Sequence, residues 1–116
     1  EDSIDMSDPS QHVLIADSEE RSQVALIWLC NREPFWRFKS QLTWIYNLYV
    51  VPEFRRRGIG RMLLQEAENW TKKEGLDTIA LHVIEWNTAA RNLYEARGYE
   101  LVSTHNESCF YEKKIV

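Results

Sequence analysis

A chain of 116 residues and 13.8 kDa has room for one small domain. With 44% apolar and 28% charged residues it has a globular composition, which excludes wholesale disorder or a fibrous repeat. The longest apolar run, Val24 to Cys30, falls far short of the ~20 residues that cross a bilayer, so no membrane span is expected. The net charge of −4 argues against a nucleic-acid groove, which works through a basic face.

Residues 1–11 are acidic, carry Pro9 and several serines, and read as a disordered leader. The folded domain is expected over 12–116. His12–Asp17 and Gln23–Asn31 are apolar enough for two strands and are spaced as a hairpin. The segment around Pro34 reads as a loop. A third strand, Leu42–Val51, is rich in Trp, Tyr and Ile and stops at Pro52. From Gly58 to Glu74 the period becomes helical: Ile59, Met62, Leu63, Ala67 and Trp70 form the apolar face, and Glu68 and Lys72 are spaced to pair on the polar side. Gly75 ends the helix. Thr78–Ile84 is a near-continuous apolar strand. Thr88–Arg97 is a second helix, with Asn87 at its N-cap and Gly98 beyond its end. Tyr99–His105 and Cys109–Ile115 close the chain as a hairpin. The order β-β-β-α-β-α-β-β implies a mixed α/β sheet, parallel at one central crossover and antiparallel at both ends.

Cys30 and Cys109 lie in apolar strands without a CxxC and read as reduced core thiols of a cytoplasmic protein. The three histidines are scattered, and no metal site is assigned. Trp28 and Trp70 read as core residues.

The chemistry concentrates between the third strand and the first helix. Residues 53–61 hold four arginines against one glutamate. Glycines at 58 and 60 let the backbone turn and let an anion approach the unpaired amides of a helix start. Phosphate-loop and dinucleotide patterns do not fit, because Gly60 is followed by Arg61-Met62 and position 63 is Leu.

Val51-x-x-x-Arg55-x-x-Gly58-x-Gly60 after a strand resembles the first motif of the GNAT superfamily, the acetyl-CoA-dependent N-acetyltransferases. Asn87-x-x-Ala90-x-x-Leu93-Tyr94-Glu95-x-x-Gly98-Tyr99 resembles the second. The resemblance implies a GNAT-like acyl-CoA N-acyltransferase fold whose middle strands splay. It implies that the backbone of Leu48, Tyr49 and Val50 pairs with the pantetheine arm of acetyl-CoA. The pyrophosphate would lie on the amides of Arg56, Arg57, Gly58, Ile59, Gly60 and Arg61, with Arg55 heading the loop and Asn87 near the arm. Tyr94 would be the general acid to the departing thiolate, while the amide of Leu48 or Tyr49 stabilises the carbonyl oxygen. The implied activity is transfer of an acetyl group to a primary amine on a small molecule or peptide. The alternative is an acetyl-CoA-binding but inactive sensor or assembly module.

No general base is evident. Leu42–Asn47 carries no Asp or Glu, and for Tyr46, Glu85 and Glu33 a surface or packing role is the stronger reading. The family's N-terminal helices, which wall the acceptor site, have no counterpart ahead of the first strand. A truncated chain, a second copy in a homodimer, or a lost acceptor pocket would each account for this; the homodimer is preferred. Trp28, Trp36 and Trp44 lie in the half where the wall is missing.

Overall fold

The computed structural model describes residues 10–115, apart from Arg37 and Lys39. Residues 1–9, most of the expected leader, lie outside the described residues. One mixed six-stranded sheet carries the fold. Its strands are β1 (Gln11–Ala16), β2 (Ala25–Arg32), β3 (Leu42–Val50), β4 (Thr78–Ile84), β5 (Glu100–His105) and β6 (Ser108–Lys114). A single 3-10 turn, Pro52–Phe54, follows β3, and the helices are α1 (Ile59–Lys73) and α2 (Thr88–Ala96). The spatial order is β1-β2-β3-β4-β6-β5. Only β3 and β4 run parallel; every other neighbour is antiparallel. The mixed sheet with one crossover is therefore present, and β6 inserts between β4 and β5.

The sheet begins at Gln11, inside the expected leader. Gln11 faces Cys30 across the ladder, and its side-chain oxygen accepts from the indole N–H of Trp28 at 2.7 Å. Asp17 closes the β1–β2 turn by accepting from the Gln23 amide at 2.7 Å. The β5–β6 hairpin turns through Asn106 and Glu107, both at positive φ (50° and 70°). Two successive left-handed residues are what a two-residue primed turn requires.

Both helices lie on one face of the sheet. Ile27, Leu29, Ile45, Leu81, Val83 and Tyr111 form the sheet side of that core, and Leu63, Leu64 and Ala67 the α1 side. Thr43 and Thr71 are fully buried there and satisfy one another: Thr71 Oγ1 donates to Thr43 Oγ1 at 2.9 Å. The opposite face has no helix among the described residues. Part of it is covered by the β2–β3 loop, where Phe35 and Phe38 pack with Cys30, Leu42, Trp44 and Phe110. Both cysteines are buried.

Three sequence expectations for this core are corrected. Met62 is 51% exposed, because the α1 stripe is centred on Leu63, Leu64 and Ala67. Glu68 is 5% exposed and does not pair with Lys72. It accepts from Arg97 and Lys113 at 3.1 Å each and from the Tyr99 hydroxyl at 3.1 Å, joining α1 to the end of α2 and to β6. Two cations and a phenol supply the solvation that burial removes. Finally, Trp28 is only half-buried and is not part of the core, whereas Trp70, also half-buried, packs against the core as expected and stacks on His12 at 5.0 Å. No described helix is long and apolar enough to cross a membrane.

Candidate active site

The sheet opens at its parallel seam. β3 and β4 pair only at Thr43–Ile79 and Trp44–Ala80. The cause lies in β3. Its register against β2 passes from Leu29–Ile45 to Trp28–Asn47, leaving Tyr46 as an extra residue. A bulge bends and twists the strand that carries it, which takes the second half of β3 away from β4. The wedge between them is a cleft of about 160 Å³ lined by Ile45, Tyr46, Asn47, Leu48, Leu81, His82, Val83, Asn87, Ala90 and Tyr94.

The ladder decides which backbone groups face this cleft. The Val51 amide donates to the Val24 carbonyl at 2.9 Å. Backbone groups alternate sides along a strand. With Leu26 opposite Tyr49 and Ile27 opposite Leu48, Tyr49 turns its N–H and C=O toward β2, whereas Leu48 and Val50 turn theirs toward the cleft. Of the three residues expected there, Leu48 and Val50 face the opening and Tyr49 does not. The Val50 carbonyl accepts from Arg55 Nε at 2.8 Å, so Arg55 braces the strand end.

Beyond Val50 the chain enters the arginine loop. Phe54 is buried and pins the loop to the core. Arg57 is turned toward the β1–β2 loop, where it pairs with Glu20 at 3.0 Å and lies 4.5 Å over the Phe54 ring. Arg56 and Gly58 adopt positive φ (64° and 84°). A side chain at Gly58 would be strained, and its Cβ would meet the Arg61 guanidinium at 3.0 Å. The first backbone bond of α1 is Met62 N–H to Gly58 C=O at 3.1 Å. The amides of Ile59, Gly60 and Arg61 therefore have no acceptor within the helix. A Cβ at Gly60 would lie 3.3 Å from Leu93, so this helix start sits directly against α2.

Helix α2 forms one wall of the cleft. Asn87 caps it by accepting from the Ala90 amide at 3.2 Å. Arg91 Nε donates to the Tyr111 hydroxyl at 2.9 Å, and that hydroxyl donates to Glu95 at 2.6 Å, which ties α2 to β6. Tyr94 is 6% exposed, lines the cleft and packs edge-on to Tyr99 at 5.7 Å. Its hydroxyl makes no hydrogen bond among the described residues. Burial alone pushes its pKa up to about 12, so the phenol keeps its proton throughout the neutral range.

The opposite wall belongs to the helix-free face. Tyr46 stacks on Trp28 at 4.7 Å, and His82 stacks on Trp44 at 6.0 Å. Both Tyr46 and His82 line the cleft, and no described lining residue is a carboxylate. His82 is the residue that sequence reading missed. It was legible only as one of three scattered histidines, since its value depends on β3 and β4 separating beside it. Glu33 and Glu85 do not line the cleft.

Of the expected site residues, Leu48, Asn87 and Tyr94 line the cleft together, while Arg55 to Arg61 do not line it and are linked to its α2 wall through the approach of Gly60 to Leu93. An elongated diphosphate with an amide-bearing arm fits this set. The amides of Ile59, Gly60 and Arg61 would suit a diphosphate, Gly58 leaves a side-chain-free position beside them, and the Leu48 backbone would suit an amide-bearing arm.

Residues 1–99 match the sequence profile of the Acetyltransferase (GNAT) family. Among curated proteins, the thialysine N-epsilon-acetyltransferase of Bos taurus is 30% identical over 74 residues, 63% of this chain and 44% of the relative. The [ribosomal protein bS18]-alanine N-acetyltransferase of Salmonella typhimurium is 42% identical over 55 residues, 47% of this chain and 37% of the relative. The chain thus spans less than half the length of these relatives. Among solved structures, the PaiA N-acetyltransferase of Thermoplasma acidophilum, in complex with coenzyme A, superposes with a TM-score of 0.79 at 26% identity, covering 94% of this chain and 64% of that one. The Arabidopsis thaliana NAA60 complex with a bisubstrate analogue has the same fold, with a TM-score of 0.79 at 18% identity over 93% of this chain and 77% of that one.

Proposed function

The chain belongs to the GNAT acetyltransferase family, and on that premise we propose that it transfers an acetyl group from acetyl-CoA to a primary amine. The observation that carries this reading is the splayed β3–β4 cleft with Tyr94 in its α2 wall, the same helix against which the glycine-bordered start of α1 packs at Gly60 and Leu93. The bound thioester would supply an activated acetyl carbonyl, and amine attack on it develops charge on the carbonyl oxygen and expels a thiolate. Leu48 and Val50 offer cleft-facing backbone to the pantetheine arm, and Arg56 to Arg61 offer amides and positive charge to the diphosphate. The cleft-facing Leu48 N–H would stabilise the charge that develops on the carbonyl oxygen. Tyr94, neutral and buried, donates its proton toward the thiolate. Asn87 orders the α2 start and borders the same slot.

Helix α2 closes the cleft on Tyr94's side, so the amine enters from the helix-free face. His82 stands there and takes the proton that the attacking nitrogen sheds, with Tyr46 beside the same opening. Acid and base then lie on opposite faces of the sheet, and neither competes for the other's proton. The lack of a carboxylate in the described cleft lining favours a second reading, a CoA-binding module without turnover.

Calorimetric titration with CoA tests the binding half. Wild type should bind, and Gly58→Val should bind at least about tenfold more weakly through a strained loop. Equal binding by the two proteins would remove the helix start from the site.

A further inference from the structure

Helix α2 carries Tyr94, yet little holds this helix in place. It is nine residues long and buries one side chain completely, Tyr94 itself, whereas α1 buries five. Ala90 and Leu93 pack partly against the core. A helix this short is marginal on its own and takes its position from its tethers. Its C-terminal end is tied to α1, where Arg97 donates to Gln65 at 2.9 Å and to Glu68 at 3.1 Å. Its N-terminal half is tied by Arg91, which stands at a position that the second motif leaves open and does not line the cleft.

The Arg91 guanidinium is forked between two other parts of the fold. Nη1 donates to the Glu85 carbonyl at 3.0 Å, in the turn between β4 and α2, and Nε donates to the Tyr111 hydroxyl of β6 at 2.9 Å. That hydroxyl donates in turn to Glu95 at 2.6 Å, one helical turn beyond Arg91. A guanidinium only donates, so the chain runs in one direction, Arg91 to Tyr111 to Glu95. The Glu85 peptide is held on its other side as well, since its N–H donates to the Glu107 carbonyl at 2.8 Å. The turn that leads into Asn87 is therefore clamped from both sides. Leu81, His82 and Val83 line the cleft from β4, and Ala90 and Tyr94 line it from α2. Arg91 joins these two walls. The Tyr94 hydroxyl has no hydrogen bond of its own among the described residues. Its ring rests on Tyr99 at 5.7 Å and on Tyr111 at 6.4 Å. The placement of the phenol is inherited from the helix and from these rings, and Arg91 holds both the helix and the Tyr111 ring.

We propose that Arg91 is a positioning residue for the acid: by tying α2 to the Glu85 carbonyl and to Tyr111, it sets how far the Tyr94 hydroxyl stands from the departing sulfur. This rests on the acetyl-transfer reading, with Tyr94 as its acid. A reacting group misplaced by about 1 Å can cost about a hundredfold in rate. Lysine is a poor substitute here, because one ammonium does not present the planar fork that spans two acceptors.

The test uses wild type, Arg91→Met, Arg91→Lys and Tyr94→Phe, with each Arg91 variant made in the Tyr94→Phe background too. All are assayed as the full chain with acetyl-CoA and the primary amine that wild type turns over fastest. Arg91→Met should lower kcat about tenfold and Arg91→Lys about threefold, with KM for acetyl-CoA unchanged. In the Tyr94→Phe background both should change kcat by less than about twofold, because no acid remains to be misplaced. An equal loss in the two backgrounds, a loss confined to KM, or no loss at all overturns the proposal. If Arg91→Met fails to fold, Arg91→Lys, which keeps the charge and the stem, carries the same comparison. A wild type that binds CoA but releases no thiol refutes acetyl transfer, and the hold on the phenol is then read by titration. In spectra of 13C-labelled tyrosine, the Tyr94 signal is the one missing from Tyr94→Phe. Burial holds this phenol at about 12 in wild type. In Arg91→Lys it should ionise about one pH unit lower, as water reaches a loosened ring. An unchanged Tyr94 titration overturns the proposal as well.

Discussion

Replacing Tyr94 by Phe removes one oxygen and gives a quantitative handle on the site. The folded pKa of Tyr94 is pushed up to about 12 by burial, against 10.0 for the free phenol. A raised acid pKa means that the folded state holds its proton more tightly than the unfolded chain. The corresponding stability is fully present below pH 10 and is lost as pH rises through 12. Two pH units correspond to about 2.7 kcal/mol, of which about half is gone by pH 11. Urea unfolding of wild type and Tyr94→Phe from pH 8 to 11 reads this directly. The wild-type curve should fall relative to the variant by about 1.4 kcal/mol at pH 11. Tyr111, raised by burial, titrates alike in both proteins and cancels in the difference; Tyr99 is coupled to Tyr94, but burial and Glu68 hold it protonated across this pH range in the folded state. Parallel curves for the two proteins across this range would refute the claim that Tyr94 is kept neutral by burial. With it would go the reason for calling Tyr94 a standing acid at neutral pH.

Three further outcomes are expected. Glu68→Gln should lower the urea midpoint by the equivalent of about 2 kcal/mol, since it strands Arg97 and Lys113 beside a neutral amide; an unchanged midpoint would mean that the cluster is solvated. His82→Gln should cut acetyl transfer about a hundredfold while leaving CoA affinity unchanged; an undiminished rate would pass the base role to water. Gly60→Val should reduce CoA affinity and stability together, because its Cβ meets Leu93 at 3.3 Å and overpacking of this kind costs about 1–3 kcal/mol. Retained stability and affinity would show that α2 yields at that contact.

The elements were legible where punctuation residues carry them. Asn87 caps α2 as its position implied, and Gly75 and Gly98 stand at positive φ just past the two helices. The Arg55–Arg61 loop was legible because glycine and arginine leave a composition that few other structures need. Periodicity failed at Glu68, since a carboxylate on a helix reads as solvated unless the cations that bury it are known. Those cations come from 29 and 45 residues away. The cleft was legible only through family resemblance. Its local cause, the extra residue Tyr46 in β3, carries no glycine or proline to mark it. For the same reason no spacing rule could pick His82 from the other histidines, or separate Leu48 from Tyr49. Which strand edge faces the opening is fixed by the ladder to β2, and a ladder register is a long-range property.

The most direct measurement is thiol release from acetyl-CoA by the purified chain with a panel of primary amines, with the N-acetyl product identified by mass spectrometry. Thiol and acetylated amine should appear in equal amounts, with the rate about a hundredfold or more lower in Tyr94→Phe. CoA binding without any thiol release would contradict acetyl transfer, and an unimpaired Tyr94→Phe would contradict the assignment of the acid.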